Sequence, residues 1–210
     1  MKIVALSDTH NKIVPVPDGD VLVHAGDLTM TGTYPELHKA LSWLESLPHK
    51  HKLIIAGNHD FLLEESNSIF ADFPSLTYLQ DELVAIDGIT FYGTPWTPRF
   101  GNWAFMKPRD TMEQVWSLLP DKLDVLISHG PPYKICDRTV YGESVGCNHL
   151  RRRLLEHPVP YVFCGHIHEG YGMDTSVFGS KVYNVSVLDE RYAIRNAPLT
   201  FLVDNKIPLS

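Results

Sequence analysis

The segment Gly165-His-Ile-His-Glu-Gly-Tyr-Gly172 sets two imidazoles, His166 and His168, one residue apart directly after the apolar run 161–164. Four other apolar runs end in polar residues of the same kind. Residues 2–7 lead into Asp8-Thr9-His10, 20–25 into Gly26-Asp27, 52–56 into Gly57-Asn58-His59-Asp60, and 124–128 into His129-Gly130. On extended backbone, side chains at i and i+2 share a face, so Asp8 with His10, and His166 with His168, are each expected to grip one ion together. The neighbouring glycines let the backbone turn sharply and a substrate approach. Asp8, His10, Asp27, Asn58, His129, His166 and His168 offer seven oxygen or nitrogen donors. That is too many for one tetrahedral ion and suits two ions sharing a carboxylate, the usual device for phosphoryl chemistry at a separation of about 3.5–4 Å. Any one of these motifs alone would more often be a turn or a cap; their joint occurrence at five strand ends carries the metal reading.

The elements that must position these residues follow from hydrophobic periodicity. The five apolar runs read as buried strands. Residues 34–47, 109–119 and 147–156 carry helical spacing. Asp87-Gly88 reads as the turn of a hairpin between 82–86 and 89–93, and the hairpin pattern repeats over 176–188 around Gly179-Ser180. The mixture predicts a layered α/β sandwich, partly parallel and partly antiparallel. In such sheets ligands collect beyond the carboxyl ends of the strands, where the five polar endings can converge.

The chain's 210 residues are read as one domain, 1–210, with no linker. A formal charge of −7 argues against extended nucleic-acid binding, which needs clustered Lys and Arg. The one dense basic run, Arg151-Arg152-Arg153, reads as a solvated helix face or else an anion-docking edge. Cys136, Cys147 and Cys164 lack metal or disulfide spacing and are expected to be reduced thiols. With neither a leader nor a membrane span in view, a cytoplasmic location with no membrane partner is expected.

In this order, the Asp-x-His, Gly-Asp, Gly-Asn-His-Asp, His and Gly-His-x-His motifs resemble the calcineurin-like metallophosphoesterase superfamily. Residues 93–105, Ser128-His-Gly-Pro-Pro132, Val145-Gly-Cys-Asn-His-Leu150 and the opening segment look like its metallophosphoesterase-domain-containing branch, the class III phosphodiesterases. The resemblance implies a four-layer α/β/β/α sandwich of two mixed sheets, with metals at one edge. It would give one ion to Asp8, His10, Asp27 and His168 and the other to Asp27, Asn58, His129 and His166, with Asp27 as bridge. His59 would protonate the leaving alkoxide and Asp60 would orient its imidazole. The superfamily's second motif often continues to a further acid, where this chain has Met30; the branch usually lacks it too.

Between two cations the pKa of water falls toward about 7, so a nucleophile exists at neutral pH and no covalent intermediate is needed. The Asp, Asn and His donors suit Mn, Fe, Zn, Ni or Co, with Mn expected to serve in assays. Trp96, Phe100, Trp103 and Arg99, with Tyr171, would either bind a nucleotide by base stacking and phosphate pairing or pin their loops to the core. The branch that the chain resembles implies a phosphodiesterase acting on a small cyclic nucleotide, 2′,3′ or 3′,5′. A phosphomonoesterase, a nuclease and a non-catalytic nucleotide-binding scaffold are the alternatives. His24, in a buried strand, and His38, His49, His51 and His157, in helical or loop surface settings, are assigned structural roles, while His149 either does the same or borders the pocket. No oligomeric state is specified.

Overall fold

Residues 1–174 and 179–203 are described by a computed structural model. In chain order its elements are β1 (Lys2–Leu6), β2 (Val21–Ala25), α1 (Tyr34–Ser46), β3 (His51–Ile55), α2 (Phe61–Glu65), β4 (Leu76–Tyr78), β5 (Glu82–Ile86), β6 (Ile89–Thr94), the short β7 (Thr97–Pro98) and β8 (Met106–Lys107), α3 (Met112–Trp116), β9 (Val125–Ser128), α4 (Asn148–Glu156), β10 (Tyr161–Cys164), β11 (Gly172–Asp174), β12 (Lys181–Asn184) and β13 (Leu199–Leu202). One sheet has the order β13-β1-β2-β3-β4 and a second the order β11-β12-β10-β9-β6-β5. Their inner strands are parallel, while β13, β11 and β5 pair antiparallel at the edges.

The period-two alternation of each strand divides its side chains between two cores. Ile3 and Ala5 join Val21, Val23, Leu53, Phe91, Ile127 and Phe163 in the layer between the sheets. Val4 and Leu6 face outward with Leu22 and Ile54 to meet Leu37, Leu41 and Leu44 of α1. On the far side, Leu126 and Val162 pack against Met112 and Trp116 of α3 and Leu150 and Leu154 of α4. Burial of each such side chain contributes roughly 1.5–3 kcal/mol. The architecture is the expected α/β/β/α sandwich of two mixed sheets.

Three local expectations need adjustment. Of residues 109–119, only 112–116 are α-helical; 109–111 form a 3-10 turn, and Leu118 and Leu119 donate to carbonyls three residues back. Pro120 disfavours helical backbone at Leu119, which explains the early stop. In the second hairpin, 176–178 lie outside the described residues, and its observed partners are β11 and β12. Beyond Asn184 the chain leaves the second sheet, and Ser186 bridges Ser7 at the end of β1. This crossover joins the carboxyl ends of both sheets. The Asp87-Gly88 turn forms as expected, with both residues at positive φ (48° and 83°). His49 is buried, with Nε2 3.0 Å from the Pro17 carbonyl oxygen, and is not a surface residue. The basic run on α4 is also engaged: Arg152 pairs with Glu113, and Arg153 lies 3.2 Å from Asp121.

Candidate metal centre

The five strand ends meet at one edge, and at three of them the ligand-bearing backbone is not extended. Asp8 (φ 55°), His10 (42°), Asp27 (54°) and His166 (68°) all adopt left-handed conformations, which are uncommon for residues other than glycine and concentrate at functional sites. The loops after β1 and β2 hold each other in this shape. Asp8 N donates to Gly26 O (2.9 Å), His10 N to Asp27 O (3.2 Å) and Asn11 N to Leu28 O (2.9 Å).

Three groups of ligand-capable atoms result, each within 4.8 Å: Asp8, His10 and His168; His10, Asp27 and His59; and Asp27, His129 and His166. Asp27 Oδ2 stands 3.6 Å from His10 Nε2 and 3.4 Å from His129 Nε2, between two of the groups. Its Oδ1 accepts the His59 backbone N–H at 2.8 Å. Asn58 Oδ1 lies 3.0 Å from His129 Nε2, so the seven predicted donors do gather. The i, i+2 rule fails for His166 and His168, however. The left-handed turn at His166 and the 3-10 turn 168–170 send the two imidazoles to different groups.

Backbone carbonyls orient these rings. Nδ1 of His10 meets Thr29 O (2.9 Å), that of His129 meets Ala25 O (2.9 Å), and that of His168 meets Asp189 O (2.8 Å). A ring whose Nδ1–H donates to a carbonyl presents Nε2 for coordination. His10 Nε2 is buried without a hydrogen-bond partner, an arrangement that costs stability unless something else engages the nitrogen. The donor set and this orphaned nitrogen fit divalent cations of the borderline class. Close packing leaves no room for larger residues at two glycines: a Cβ at Gly57 would lie 2.2 Å from Asp27 Oδ1, and one at Gly165 2.2 Å from Asp8 Oδ2.

Burial alone would strip the charges from this site, and mutual attraction restores some of them. Burial depresses His129, but the Asp27 carboxylate outweighs it and raises the imidazole to about 9. Burial likewise opposes charge on His168, and Asp8 carries it to about 9. Burial and the nearby His129 push His166 down to about 3. Each raised imidazole faces a carboxylate that it in turn holds in its charged form.

His59 lines the cavity above these atoms, and its Nδ1 is 2.7 Å from Met30 O. Asp60, expected to orient that ring, does not touch it. Its Oδ1 accepts from Thr29 N (2.9 Å) and Thr29 Oγ1 (2.8 Å), and its Oδ2 from Leu28 N (3.2 Å) and Gly57 N (2.8 Å). Asp60 staples the loop after β2 to the loop after β3, and the Met30 carbonyl takes over the orienting role. Burial, reinforced by Asp27, raises Asp60 to about 6.

The cavity is about 360 Å³ and also contains Phe100, Trp103, Arg109, Thr139 and Tyr192. Of the five candidate substrate contacts, Phe100 and Trp103 are there, the Trp103 ring centroid 4.4 Å from that of His59. Trp96 is pinned to the core, with Nε1 donating to Asp81 at 2.8 Å and Lys107 Nζ 3.9 Å from its ring centroid. Arg99 is exposed outside the cavity, whose wall takes its cation from Arg109. Tyr171 donates to Ala197 O (2.9 Å) and lines a separate groove. His149, too, lies in another groove, with Glu113 and Arg152. Sequence reading missed Tyr192, whose ring lies 4.9 Å from His10 and 5.2 Å from His168, because the signal is a left-handed turn (φ 60°) far along the chain.

Residues 1–170 match the family model described as calcineurin-like phosphoesterase. Metallophosphoesterase domain-containing protein 1 of Homo sapiens is 38% identical, covering 94% of this chain and 69% of its own length. Probable rhamnogalacturonate lyase C of Emericella nidulans is 40% identical over 83% of this chain, which spans only 18% of that protein. Among solved structures, TT1561 of Thermus thermophilus shares the fold, with a TM-score of 0.63 at 14% identity, over 87% of this chain and 88% of that one.

Two measurements probe this geometry. Asp60→Ala strands three buried backbone donors, those of Leu28, Thr29 and Gly57, while the Thr29 hydroxyl keeps the His59 carbonyl; at roughly 1–3 kcal/mol each, urea unfolding of the metal-free variant should show a loss of about 3 kcal/mol or more. Unchanged stability would return Asp60 to the imidazole. Coordination requires neutral imidazoles, so titrating metal-free protein with Mn²⁺ at pH 7 should release protons from His129 and His168, and calorimetry in buffers of different ionisation enthalpy reads that release. Because both values are raised to about 9, the release should vanish as pH climbs past them.

Proposed function

The chain belongs to the calcineurin-like phosphoesterase family, on its metallophosphoesterase-domain-containing branch, and carries that family's metal-dependent phosphoesterase domain; on that premise we propose that it hydrolyses phosphodiesters, with small cyclic nucleotides as substrates. The observation that carries the reading is Asp27 Oδ2 standing 3.6 and 3.4 Å from two imidazole nitrogens. In this reading Asp27 is the shared ligand of a dinuclear centre, with Asp8, His10 and His168 on one side and Asn58, His129 and His166 on the other. Bound divalent cations supply Lewis acidity toward the phosphoryl oxygens and a nucleophile at neutral pH.

The chain's own residues do the rest. His59, fixed through Nδ1 to Met30 O, turns Nε2 toward the reacting group and gives a proton to the leaving oxygen. Trp103 beside His59 and Phe100, 5.2 Å from His166 between ring centroids, flank the centre and offer faces on which a base can stack. A cavity of about 360 Å³ suits a mononucleotide, and the net charge of −7 disfavours a polyanionic strand. Three unpaired cysteines suit a reducing compartment, the cytoplasm in this reading. No helix among the described residues is long and apolar enough to cross a membrane.

The Mn-loaded protein should cleave bis-p-nitrophenyl phosphate faster than p-nitrophenyl phosphate and should open 2′,3′- or 3′,5′-cyclic nucleotides. Cleavage of the monoester alone would mark a phosphomonoesterase, preference for oligonucleotides a nuclease, and no turnover a nucleotide-binding scaffold. His59→Ala should keep its metal content while kcat drops about 10²–10⁴-fold. Because His59 shares a cluster with His10 and Asp27, loss of a cation in that variant would make it a ligand instead.

A further inference from the structure

Asp8 has no exposed surface, and its two oxygens have different surroundings. Oδ2 accepts the hydroxyls of Ser7 and Ser186, the latter at 2.6 Å. The His166 backbone N–H reaches both oxygens, at 3.0 and 3.1 Å. Oδ1 receives no hydroxyl and lies 3.6 Å from His168 Nε2. A serine hydroxyl has one proton to donate, and here two serines, both fully buried, direct theirs to the same oxygen.

Ser186 comes from the crossover that leaves the second sheet after β12. Asn184 holds that crossover to the histidine turn: its Nδ2 donates to Ile167 O (2.7 Å) and Gly165 O (3.2 Å), and its Oδ1 accepts Ser186 N (3.0 Å). Asn196 Nδ2 caps Ser186 O at 3.0 Å. The seryl hydroxyl therefore reaches Asp8 from a backbone already tied to the segment bearing His166 and His168. Gly165 keeps the space open, since a Cβ there would also lie 2.3 Å from Ser7 Oγ.

We propose that Ser186, acting with Ser7, is a positioning residue that commits Asp8 to one-oxygen coordination through Oδ1. The proposal rests on the dinuclear reading above and deepens it. With Oδ2 held by two hydroxyls and the His166 N–H, Oδ1 would be aimed at the cation before it binds, so coordination would need no reorientation of the carboxylate. A purely structural serine would anchor the crossover without affecting cation affinity.

The test uses the full chain, stripped of metal and titrated with Mn²⁺ by calorimetry. Ser186→Ala should bind one cation about 10–100-fold more weakly, whereas Ser186→Thr, which retains the hydroxyl, should recover affinity. Ser7→Ala, which leaves the crossover intact, should show the same loss and decides the matter if Ser186→Ala does not fold. Wild-type affinity at both sites in either folded alanine variant overturns the proposal, as does a threonine variant that folds but binds no better than alanine. If the wild type itself takes up fewer than two cations, the dinuclear reading falls, and the difference between wild type and variants at the remaining cation still judges Ser186.

Discussion

Two carboxylates, Asp8 and Asp27, must stay charged in the protein interior, and most of the site's architecture follows from that requirement. Removing an isolated carboxylate from water costs several kcal/mol even after relaxation. Here the cost is offset by directed donors: seryl hydroxyls and a backbone N–H for Asp8, the His59 N–H for Asp27, and imidazoles on both. The remaining oxygens face histidine nitrogens across the gap. Such an arrangement holds more polar potential than the protein alone satisfies, as the unpartnered His10 Nε2 shows, and a cation is the partner that the chemistry of the set accepts.

Rigidity comes from the backbone. Four imidazoles are each held through Nδ1 by a main-chain carbonyl, those of Ala25, Thr29, Met30 and Asp189. Because the acceptor is a peptide oxygen, the side chain at that position is free to vary. Met30 thus supports His59 although it has no polar side chain, and Asp60 is released to knit the loops after β2 and β3. The left-handed turns at Asp8, His10, Asp27 and His166 are the conformational cost of aiming ligands from strand ends at one point, and the paired loops around them keep the turns in place.

The sandwich and the location of the site were readable from the chain because both rest on local signals. A buried parallel strand is a short apolar run, and a run followed by Gly-Asp or Gly-His announces its own carboxyl end. Whether Trp96 and Arg99 stack on a ligand or pin their loop stayed open in the sequence because composition gives a loop's chemistry but not its inward and outward faces. Ser186 and Tyr192 escaped notice because a serine in an apolar run and a tyrosine in a polar turn carry no signal until the crossover after β12 brings them back to β1 and its ligands.

Sequence by itself therefore determined the α/β class, the five strand ends and the seven donors that gather there, since period-two burial and residue type are written locally. Tertiary structure alone decided which oxygen of each carboxylate is occupied and which aromatic rings border the cavity. Those choices depend on contacts between residues up to 178 positions apart, such as Asp8 and Ser186, and on φ values set by the packing of neighbouring loops, neither of which a one-dimensional pattern contains.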